Sequence, residues 1–372
     1  MKTILTGFIL LLVATACGDA AQPDAESFRP QRSEWRTNLN KTAIDLTEID
    51  EVLEKDAIIA IDVPDLVPVS SVDFLEDTEP VLAVTVSQET HAYPIRLLLK
   101  HELVNDEIGG LPVLVSFCPL CNSAVVFDRR VDGRTLEFGV SGLLRNSDLI
   151  MFDRATETWW QQITGEAIVG DLSGSALHFL PSAIVSWGDL RQTLADASVA
   201  SFDTGLPINY ERSSYSHTDD LDSPARYFNG EVDSRLPAKE RVLALEIDGD
   251  AVAYAYSILA EKRVVMDVVG GESVVVFFKP GTLSTMDPVG KFSHDTGAAV
   301  AFSAALDGRP LTFEFKSGAF RDRETGSTWN IFGQAVAGPL VHSNLEPTVH
   351  GNHFWFAWAA FQPETRIWSP QE

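Results

Sequence analysis

The sequence repeats itself at a constant offset of 161 residues. Residues 81–84 (VLAV) correspond to 242–245 (VLAL), and the Ala-Tyr pair at 92–93 corresponds to the pair at 253–254. Three further pairs keep the same offset without a gap: Asp106 and Asp267, Gly-Gly at 109–110 and 270–271, and residues 113–115 and 274–276. Self-similarity at a fixed period indicates a repeated structural unit. The chain is therefore predicted to fold as two related halves.

The duplication and the shifts in composition divide the chain into six predicted segments. They are a lipoprotein-type signal peptide, 1–17; a flexible tether, 18–42; a first half, 43–170; a helix-containing connector, 171–241; a second half without cysteines, 242–338; and an aromatic C-terminal segment packing on the halves, 339–372.

Within each half, the hydrophobic periodicity is that of short strands. Runs such as 81–86 and 113–117 are rich in Val, Leu and Phe and are bounded by turn-forming residues. Asp-Gly pairs at 132–133 and 307–308 predict tight hairpins. Two helices are predicted, Arg96–Val104 and Trp187–Ala195. The predicted fold class is α+β, mainly antiparallel, with few helices.

The N-terminal segment has the pattern of an export signal. Lys2 precedes an apolar run, residues 4–14, that is too short to span a bilayer. The sequence ATACG, which ends at Gly18, resembles the lipobox of bacterial lipoproteins, in which the cysteine becomes an acylated first residue. We therefore expect an extracytoplasmic protein that is anchored to a bacterial membrane by lipid on Cys17.

The charge of the chain argues against nucleic acid as a partner. Lys and Arg together number 28 and Asp and Glu 53, which gives a formal net charge of −25. No Lys/Arg-rich run offers a binding surface for a phosphate backbone. We therefore expect no nucleic acid binding, and the sequence does not indicate a protein partner.

Cys118 and Cys121 form a Cys-Pro-Leu-Cys motif that the second half lacks. The pair lies between two predicted strands, whereas a thioredoxin-type pair precedes a helix that stabilises its thiolate. A strand-turn-strand setting is typical of cysteine knuckles that bind a metal ion. Two thiolates with a histidine suit copper or zinc, and His350 and His353 are the candidate ligands, with His217 and His294 as further possibilities.

A polar insertion, GLLRNSD at 142–148, also occurs only in the first half. Arg145, Asn146 and Asp148 are therefore candidates for residues that act beside the sulfur atoms. In the metal-binding interpretation they surround the ligands. Trp159 and Trp160 are predicted to cover the site.

Two other interpretations of the cysteine pair stay open. It could serve a thiol-disulfide redox protein that acts on exported partners, which requires an exposed thiol with a lowered pKa. It could also be a structural clip in a ligand-binding or scaffold module that has no catalytic activity. Neither a P-loop, nor a GxSxG elbow, nor an HExxH motif is present in the sequence. Whether the protein is an enzyme stays open at this point.

Several stretches together resemble the prokaryotic domain-of-unknown-function family numbered 3179, over about residues 45–368. They are FCPLCNSAVVFD (117–128), GLLRNSD (142–148), RLPAKERVLAL (235–245) and FWFAWAAFQPETRIW (354–368). The loop at 209–215 resembles the family's tyrosine-containing loop, with serines where we expect an Asn-Pro pair. The resemblance implies family membership and brings no reaction with it.

Overall fold

Short apolar runs separated by turn residues fold into antiparallel hairpins along the whole chain. The structure, a computed structural model, describes residues 35–211, 213–286 and 294–370. Within these residues the chain forms twenty-nine strands and four α-helices. The predicted α+β class, mainly antiparallel with few helices, is confirmed.

The strands fall into two consecutive series. Those up to residue 200 are β1 (Ile49–Glu51), β2 (Leu66–Pro68), β3 (Pro80–Val86), β4 (Glu89–Pro94), β5 (Leu103–Ile108), β6 (Leu111–Cys118), β7 (Ser123–Asp128), β8 (Arg130–Val131), β9 (Arg134–Thr135), β10 (Phe138–Arg145), β11 (Asp148–Asp153), β12 (Trp159–Gln161), β13 (Ala167–Val169), β14 (His178–Leu180), β15 (Ser182–Ser186) and β16 (Ser198–Ala200). Those that follow are β17 (Arg241–Ile247), β18 (Asp250–Ala255), β19 (Val264–Val269), β20 (Glu272–Lys279), β21 (Ala298–Ser303), β22 (Ala305–Leu306), β23 (Arg309–Pro310), β24 (Phe313–Lys316), β25 (Ala319–Asp322), β26 (Thr328–Trp329), β27 (Ala335–Ala337), β28 (Gly351–Phe354) and β29 (Arg366–Ile367).

The helices are short. They are α1 (Ile95–His101), α2 (Trp187–Thr193), α3 (Tyr256–Lys262) and α4 (Trp355–Phe361), and single 3-10 turns lie at Leu46–Glu48 and Val69–Ser71. No helix in the described ranges has the length and apolarity needed to cross a membrane.

The largest sheet joins strands from both predicted halves. Its order is β29-β18-β17-β28-β7-β6-β5, with β14 also paired to β7. The central strand β28 pairs with β17 on one side and, through Asn352 and Ala124, with β7 on the other. A strand from the C-terminal segment therefore connects the cysteine-bearing strands to the second half.

The remaining strands form smaller sheets beside this one. Their orders are β1-β10-β11-β12-β13, β15-β3-β4-β16-β2, β19-β20-β21, β24-β25-β26-β27, and the hairpins β8-β9 and β22-β23. The two hairpins turn at the predicted Asp-Gly pairs, where both residues have positive φ as a tight hairpin requires.

The order strand, strand, helix, strand, strand occurs in both predicted halves. It is β3, β4, α1, β5, β6 in the first and β17, β18, α3, β19, β20 in the second. Both helices end at a left-handed residue, Glu102 (φ 59°) and Arg263 (φ 66°). Their N–H groups donate to Leu98 O and Leu259 O, each at 2.8 Å. The recurrence agrees with a duplication, which stays a prediction.

Several boundaries differ from the sequence prediction, and helix α2 ends at Thr193 rather than at Ala195. Helix α1 ends at His101 rather than at Val104, because Glu102 leaves the helical conformation and the chain enters β5. The packed part of the chain also starts before the predicted end of the tether at residue 42. Trp35 packs edge-on against Phe152 at a ring distance of 5.2 Å, so residues 35–42 lie on the first half.

A hydrogen bond from a tyrosine to an aspartate links β4 to β5 and, in the second half, β18 to β19. The Tyr93 hydroxyl donates to Asp106 Oδ2 at 2.5 Å, and His91 Nδ1 lies 2.8 Å from the same oxygen. In the second half, Tyr254 donates to Asp267 Oδ2 at 2.8 Å. All of these groups except Asp267 are buried, so each hydrogen bond replaces one that the unfolded chain makes with water.

Removal of the Tyr93 hydroxyl is predicted to destabilise the fold. Tyr93→Phe leaves Asp106 without one buried donor, and the free energy of unfolding should fall by about 1–3 kcal/mol. Urea unfolding followed by tryptophan fluorescence measures this. Tyr227→Phe is the control, because that ring is 47% exposed. Equal stabilities of the two variants would contradict the importance of the buried pair.

Candidate metal centre

The Cys-Pro-Leu-Cys motif forms the turn between β6 and β7. Cys118 is the last residue of β6 and pairs with Ser123, the first residue of β7. Between them, Asn122 takes a φ of 48°, a left-handed conformation that asparagine tolerates better than most residues. The predicted strand-turn-strand setting is therefore what the structure shows.

The hairpin between β10 and β11 brings a carboxylate to this turn. Asn146 (φ 51°) and Ser147 (φ 70°) form the hairpin loop, and Asp148 follows at the start of β11. Ligand atoms of Cys118, Cys121 and Asp148 all lie within 4.8 Å of one another. Cys118 Sγ also lies 3.6 Å from Ser147 O, which fixes the loop against the cysteine turn.

Asp148 is fully buried, and one of its two oxygens lacks a protein partner. Oδ2 accepts hydrogen bonds from Gln161 Nε2 at 2.7 Å and from Ile163 N at 3.0 Å. Oδ1 is buried and receives no hydrogen bond from the described residues. Burial raises the pKa of this carboxyl to about 7. A cation within reach of Oδ1 would stabilise the ionised form.

Other unpartnered polar atoms lie in the same part of the core. Gln162 Nε2 donates to Ser116 Oγ and to Ser123 O, both at 3.0 Å, while its Oε1 has no partner. Gln161 Oε1 and Ser147 Oγ are likewise buried without one. Buried polar groups in folded proteins are nearly always satisfied. Such a cluster beside three potential ligands is typical of a site for an ion or water.

Both cysteines are free thiols and are almost completely buried, with exposures of 1% for Cys118 and 0% for Cys121. Burial, followed by the neighbouring Cys118, raises the pKa of Cys121 well above its ordinary value. A redox-active cysteine needs the opposite, an accessible thiol with a lowered pKa. Neither thiol therefore has the exposure that the redox interpretation requires, and the pKa of Cys121 is shifted in the opposite direction.

A buried lysine lies against the cysteine turn. Lys239 Nζ is 3.4 Å from the carbonyl oxygen of Leu120, the residue between Pro119 and Cys121. The ammonium lies 4.4 Å from the ring centre of Phe354 and 4.9 Å from that of Phe356. Burial lowers the pKa of Lys239 to about 8, and the two thiols oppose this shift. A positive charge at this position stabilises thiolates.

Glu102 adds a second buried carboxyl group. It lies at the left-handed end of α1, and the Tyr215 hydroxyl donates to its Oε1 at 3.2 Å. Burial and the charge of Asp148 raise the pKa of Glu102 to about 7. Burial and Glu102 in turn raise the pKa of Tyr215. The loop at 209–215, which the resemblance had singled out, thus supplies a tyrosine near the cysteine turn.

The predicted histidine ligands are not part of the three-residue group. His353 Nδ1 lies 3.0 Å from Ser123 Oγ, and its ring stacks on Trp358. His350 Nδ1 donates to Thr348 O at 2.7 Å. Burial lowers the pKa of His350 to about 4 and that of His353 to about 3, so both rings are neutral. The group of potential ligand atoms around the two sulfur atoms therefore consists of Cys118, Cys121 and Asp148 and does not include these histidines.

The other predicted site residues have separate partners. Arg145 forms an ion pair with Glu48 at 2.8 Å, and Asn146 lies in the hairpin loop. Trp160 Nε1 donates to Asp153 Oδ2 at 3.2 Å. Trp160 packs in the same hydrophobic cluster as the two cysteines, whereas Trp159 packs in a different one. Cys17, the predicted lipidation site, lies outside the described residues.

Glu102 and Lys239 are the residues that the sequence analysis missed, whereas Tyr215 lies in the loop that the family resemblance named. Lys239 lies within the RLPAKERVLAL stretch that carries the family resemblance, and Glu102 corresponds to Arg263 at the repeat offset. A comparison of the charged residues of the two predicted halves, position by position, would have shown that Glu102 and Arg263 differ in charge. Nothing in the sequence indicated that these side chains meet at the cysteine turn, since they come from separate elements.

Fold and site together define an α+β protein with a buried group of two thiols and one carboxyl. The chain belongs to the family described as a protein of unknown function (DUF3179), which matches residues 55–365. No curated protein and no solved structure gives a significant match. The resemblance to this family is confirmed, and the site has to be interpreted from its own chemistry.

Asp148 is predicted to make the stability of the metal-free protein depend on pH. The pKa of Asp148 is raised to about 7 in the folded state. The carboxyl group therefore stabilises the fold fully at pH values below its pKa in the unfolded chain, and this contribution is lost as pH rises through about 7. Because asparagine does not ionise, Asp148→Asn removes this loss of stability at higher pH. The free energy of unfolding of the variant should fall less than that of the wild type between about pH 4 and pH 7.

Urea unfolding of the metal-free proteins across this pH range measures the difference. Asp153→Asn is a matched control, because Asp153 is buried on the same strand and accepts hydrogen bonds from Thr156 N and Trp160 Nε1. Parallel pH profiles of wild type and Asp148→Asn would show that the carboxyl group does not titrate with a raised pKa.

Proposed function

We propose that the protein binds a zinc ion, or another divalent ion of similar chemistry, through Cys118, Cys121 and Asp148. The observation that carries the proposal is the convergence of these three buried ligands within 4.8 Å. The unpartnered Oδ1 of Asp148 supports it, because an ion supplies the missing partner.

The mixed ligand set favours zinc over copper. Soft thiolates bind both Zn²⁺ and Cu(I), whereas a carboxylate oxygen is a common zinc ligand and a poor ligand for Cu(I). Three protein ligands also leave one position of a tetrahedral ion for a fourth ligand, such as a water molecule buried with it. Glu102, with a pKa of about 7, is a further buried carboxyl group whose charge interacts with that of Asp148.

The charges around the site are consistent with a bound divalent ion. Two thiolates and one carboxylate carry three negative charges. A bound divalent ion neutralises two of these charges and leaves one negative charge in excess. The ammonium of Lys239, which interacts electrostatically with both cysteines, balances that excess. Without an ion, burial keeps the Cys121 thiol protonated and the Asp148 carboxyl largely neutral at pH below about 7.

Metal binding is predicted to require all three ligands. The full-length protein, purified without chelator, should contain a near-stoichiometric amount of zinc by elemental analysis. Titration of the metal-free protein with Co²⁺ should give a thiolate-to-cobalt charge-transfer band. Cys118→Ser with Cys121→Ser should abolish both, and Asp148→Asn should weaken binding by at least about 100-fold, more than the loss of an outer residue costs.

Binding should also release protons and strengthen as pH rises, because the ligands bind in their deprotonated forms. Asp153→Asn, which removes a buried carboxylate outside the group, should bind like the wild type. The proposal would be overturned in favour of redox chemistry if the wild-type protein bound neither zinc nor Co²⁺ and its two thiols were reversibly oxidised to a disulfide. Retention of the metal by the double serine variant would place the ion elsewhere.

We also propose that the protein is a lipoprotein of the bacterial cell envelope, anchored through Cys17. The support is the short apolar run followed by the lipobox-like ATACG sequence. In bacteria that express the full chain, labelled palmitate should enter the wild type and not Cys17→Ala, and only the wild type should sediment with membranes. Unlabelled wild-type protein, released as a soluble product, would contradict the anchor.

A further inference from the structure

Two sheets of the structure have the same plan, one in each predicted half. Apart from the additional strand β1 in the first, their orders are β10-β11-β12-β13 and β24-β25-β26-β27, and the last two strands of each carry a register shift at the same place. Trp159 pairs with Val169 in the first sheet. Thr328 pairs with Ala337 in the second. Val169 and Ala337 therefore occupy equivalent positions on β13 and β27, the strands that end the two sheets.

The edge of β13 is covered by an extended segment from the N-terminal part of the chain. Gly170 N donates to Lys41 O at 2.9 Å, and Ala43 N donates to Ile168 O at 2.8 Å. These two hydrogen bonds flank Val169 and are those of an antiparallel pair. Side chains of the same segment pack over the sheet, and Ile168 is buried among them.

The equivalent edge of β27 has no such cover. Val336 and Gly338 lie on either side of Ala337. No described residue bonds to Val336 O or to Gly338 N, whereas the equivalent groups of β13 are paired. Val336 is 51% exposed, and Ala337 and Gly338 are exposed as well. An exposed edge strand with unpaired backbone groups can add a strand from another chain.

The contacts that hold the N-terminal segment on β13 are missing at β27. Asp171 accepts a hydrogen bond from Asn38 Nδ2 at 3.0 Å and forms an ion pair with Lys41 at 3.0 Å. Pro339, which follows β27, stands at the position that Asp171 has after β13. The occupant of the β27 edge is therefore a strand that needs no carboxylate there.

The chain around β27 is free of charged side chains. Residues 326–345 contain no Asp, Glu, Lys or Arg, although 22% of the whole chain is charged. Val341, in the turn after β27, is 42% exposed. Two copies of a protein with a net charge of −25 repel each other, and an uncharged surface is where this repulsion opposes association least.

The unpaired groups of β27 are complementary to those of a second copy. One is an acceptor, one is a donor, and they lie one residue before and one residue after Ala337. Two β27 strands that run antiparallel about a two-fold axis at Ala337 therefore form two hydrogen bonds, from Gly338 N of each copy to Val336 O of the other. This is the bond pattern that the N-terminal segment makes with β13.

We propose that the protein forms a two-fold symmetric dimer through the edge of β27, with Ala337 of one copy opposite Ala337 of the other. The two four-stranded sheets then become one continuous sheet. Because the paired edge is short, the dimer is weak, with a dissociation constant in the micromolar range. The proposal does not depend on the metal, since β27 contributes no residue to the group of Cys118, Cys121 and Asp148.

Charge substitutions at Ala337 test this pairing in the full chain. Like charges directly opposite each other on paired strands destabilise the pairing. Sedimentation velocity should show a concentration-dependent dimer of the wild type, and Ala337→Lys and Ala337→Glu should each weaken dimerisation at least about tenfold. An equimolar mixture of the two variants should dimerise again, because a lysine then faces a glutamate across the two-fold axis.

The matched control is Ala260→Lys, at an exposed alanine of helix α3, which should dimerise like the wild type. Ala337 is exposed, so both of its variants should fold, and thermal unfolding checks this. A wild type that stays monomeric up to high micromolar concentration would overturn the proposal. So would a dimer that both Ala337 variants retain, or one that their mixture does not restore, because the contact would then not be the pairing of β27 with itself.

Discussion

The hydrogen bonds of strand β28 hold the structure together around its candidate site. This strand pairs with β17 through four residues and with β7 through Asn352, so it joins the two halves in one sheet. Its last residue, Phe354, donates its N–H to Cys121 O at 2.8 Å, which fixes the cysteine turn from the second half. The ring of Phe354 then contacts the ammonium of Lys239, and its centre lies 4.4 Å from Nζ. The geometry of the sulfur atoms thus depends on chain segments far apart in sequence.

The site brings together ionisable groups that each lose water when the chain folds. Burial raises the pKa of Asp148 and Glu102 to about 7 and lowers that of Lys239 to about 8. In all three cases, the loss of hydration disfavours the charged form of the group. The groups also interact, so a change in the charge of one shifts the pKa of the others. A divalent ion would therefore stabilise the thiolates and the carboxylate, and the negative charge that remains on the group would stabilise the ammonium of Lys239.

Sequence patterns predicted the fold class and part of the site. Strand periodicity and the Asp-Gly turns depend on local physics, and both appear in the structure. The comparison of the two predicted halves singled out the cysteines, which the second predicted half lacks, and Asp148, which lies in a stretch found only in the first. A comparison of the two predicted halves could not test the predicted histidine ligands. The position of His353 beside Ser123 depends on the register of strand β28. Lys239 and Glu102 reach the site through long-range packing that no local pattern encodes.

The complete burial of the two cysteines has a consequence for the lifetime of any ion held between them. With exposures of 1% and 0%, neither sulfur can exchange a ligand with solvent while the turn is closed. Loading and release would then proceed through local opening of the sheet, at a rate set by the stability of that region rather than by diffusion. An ion acquired while the chain folds would remain kinetically trapped, and competition with a chelator would be slow even where it is thermodynamically favourable.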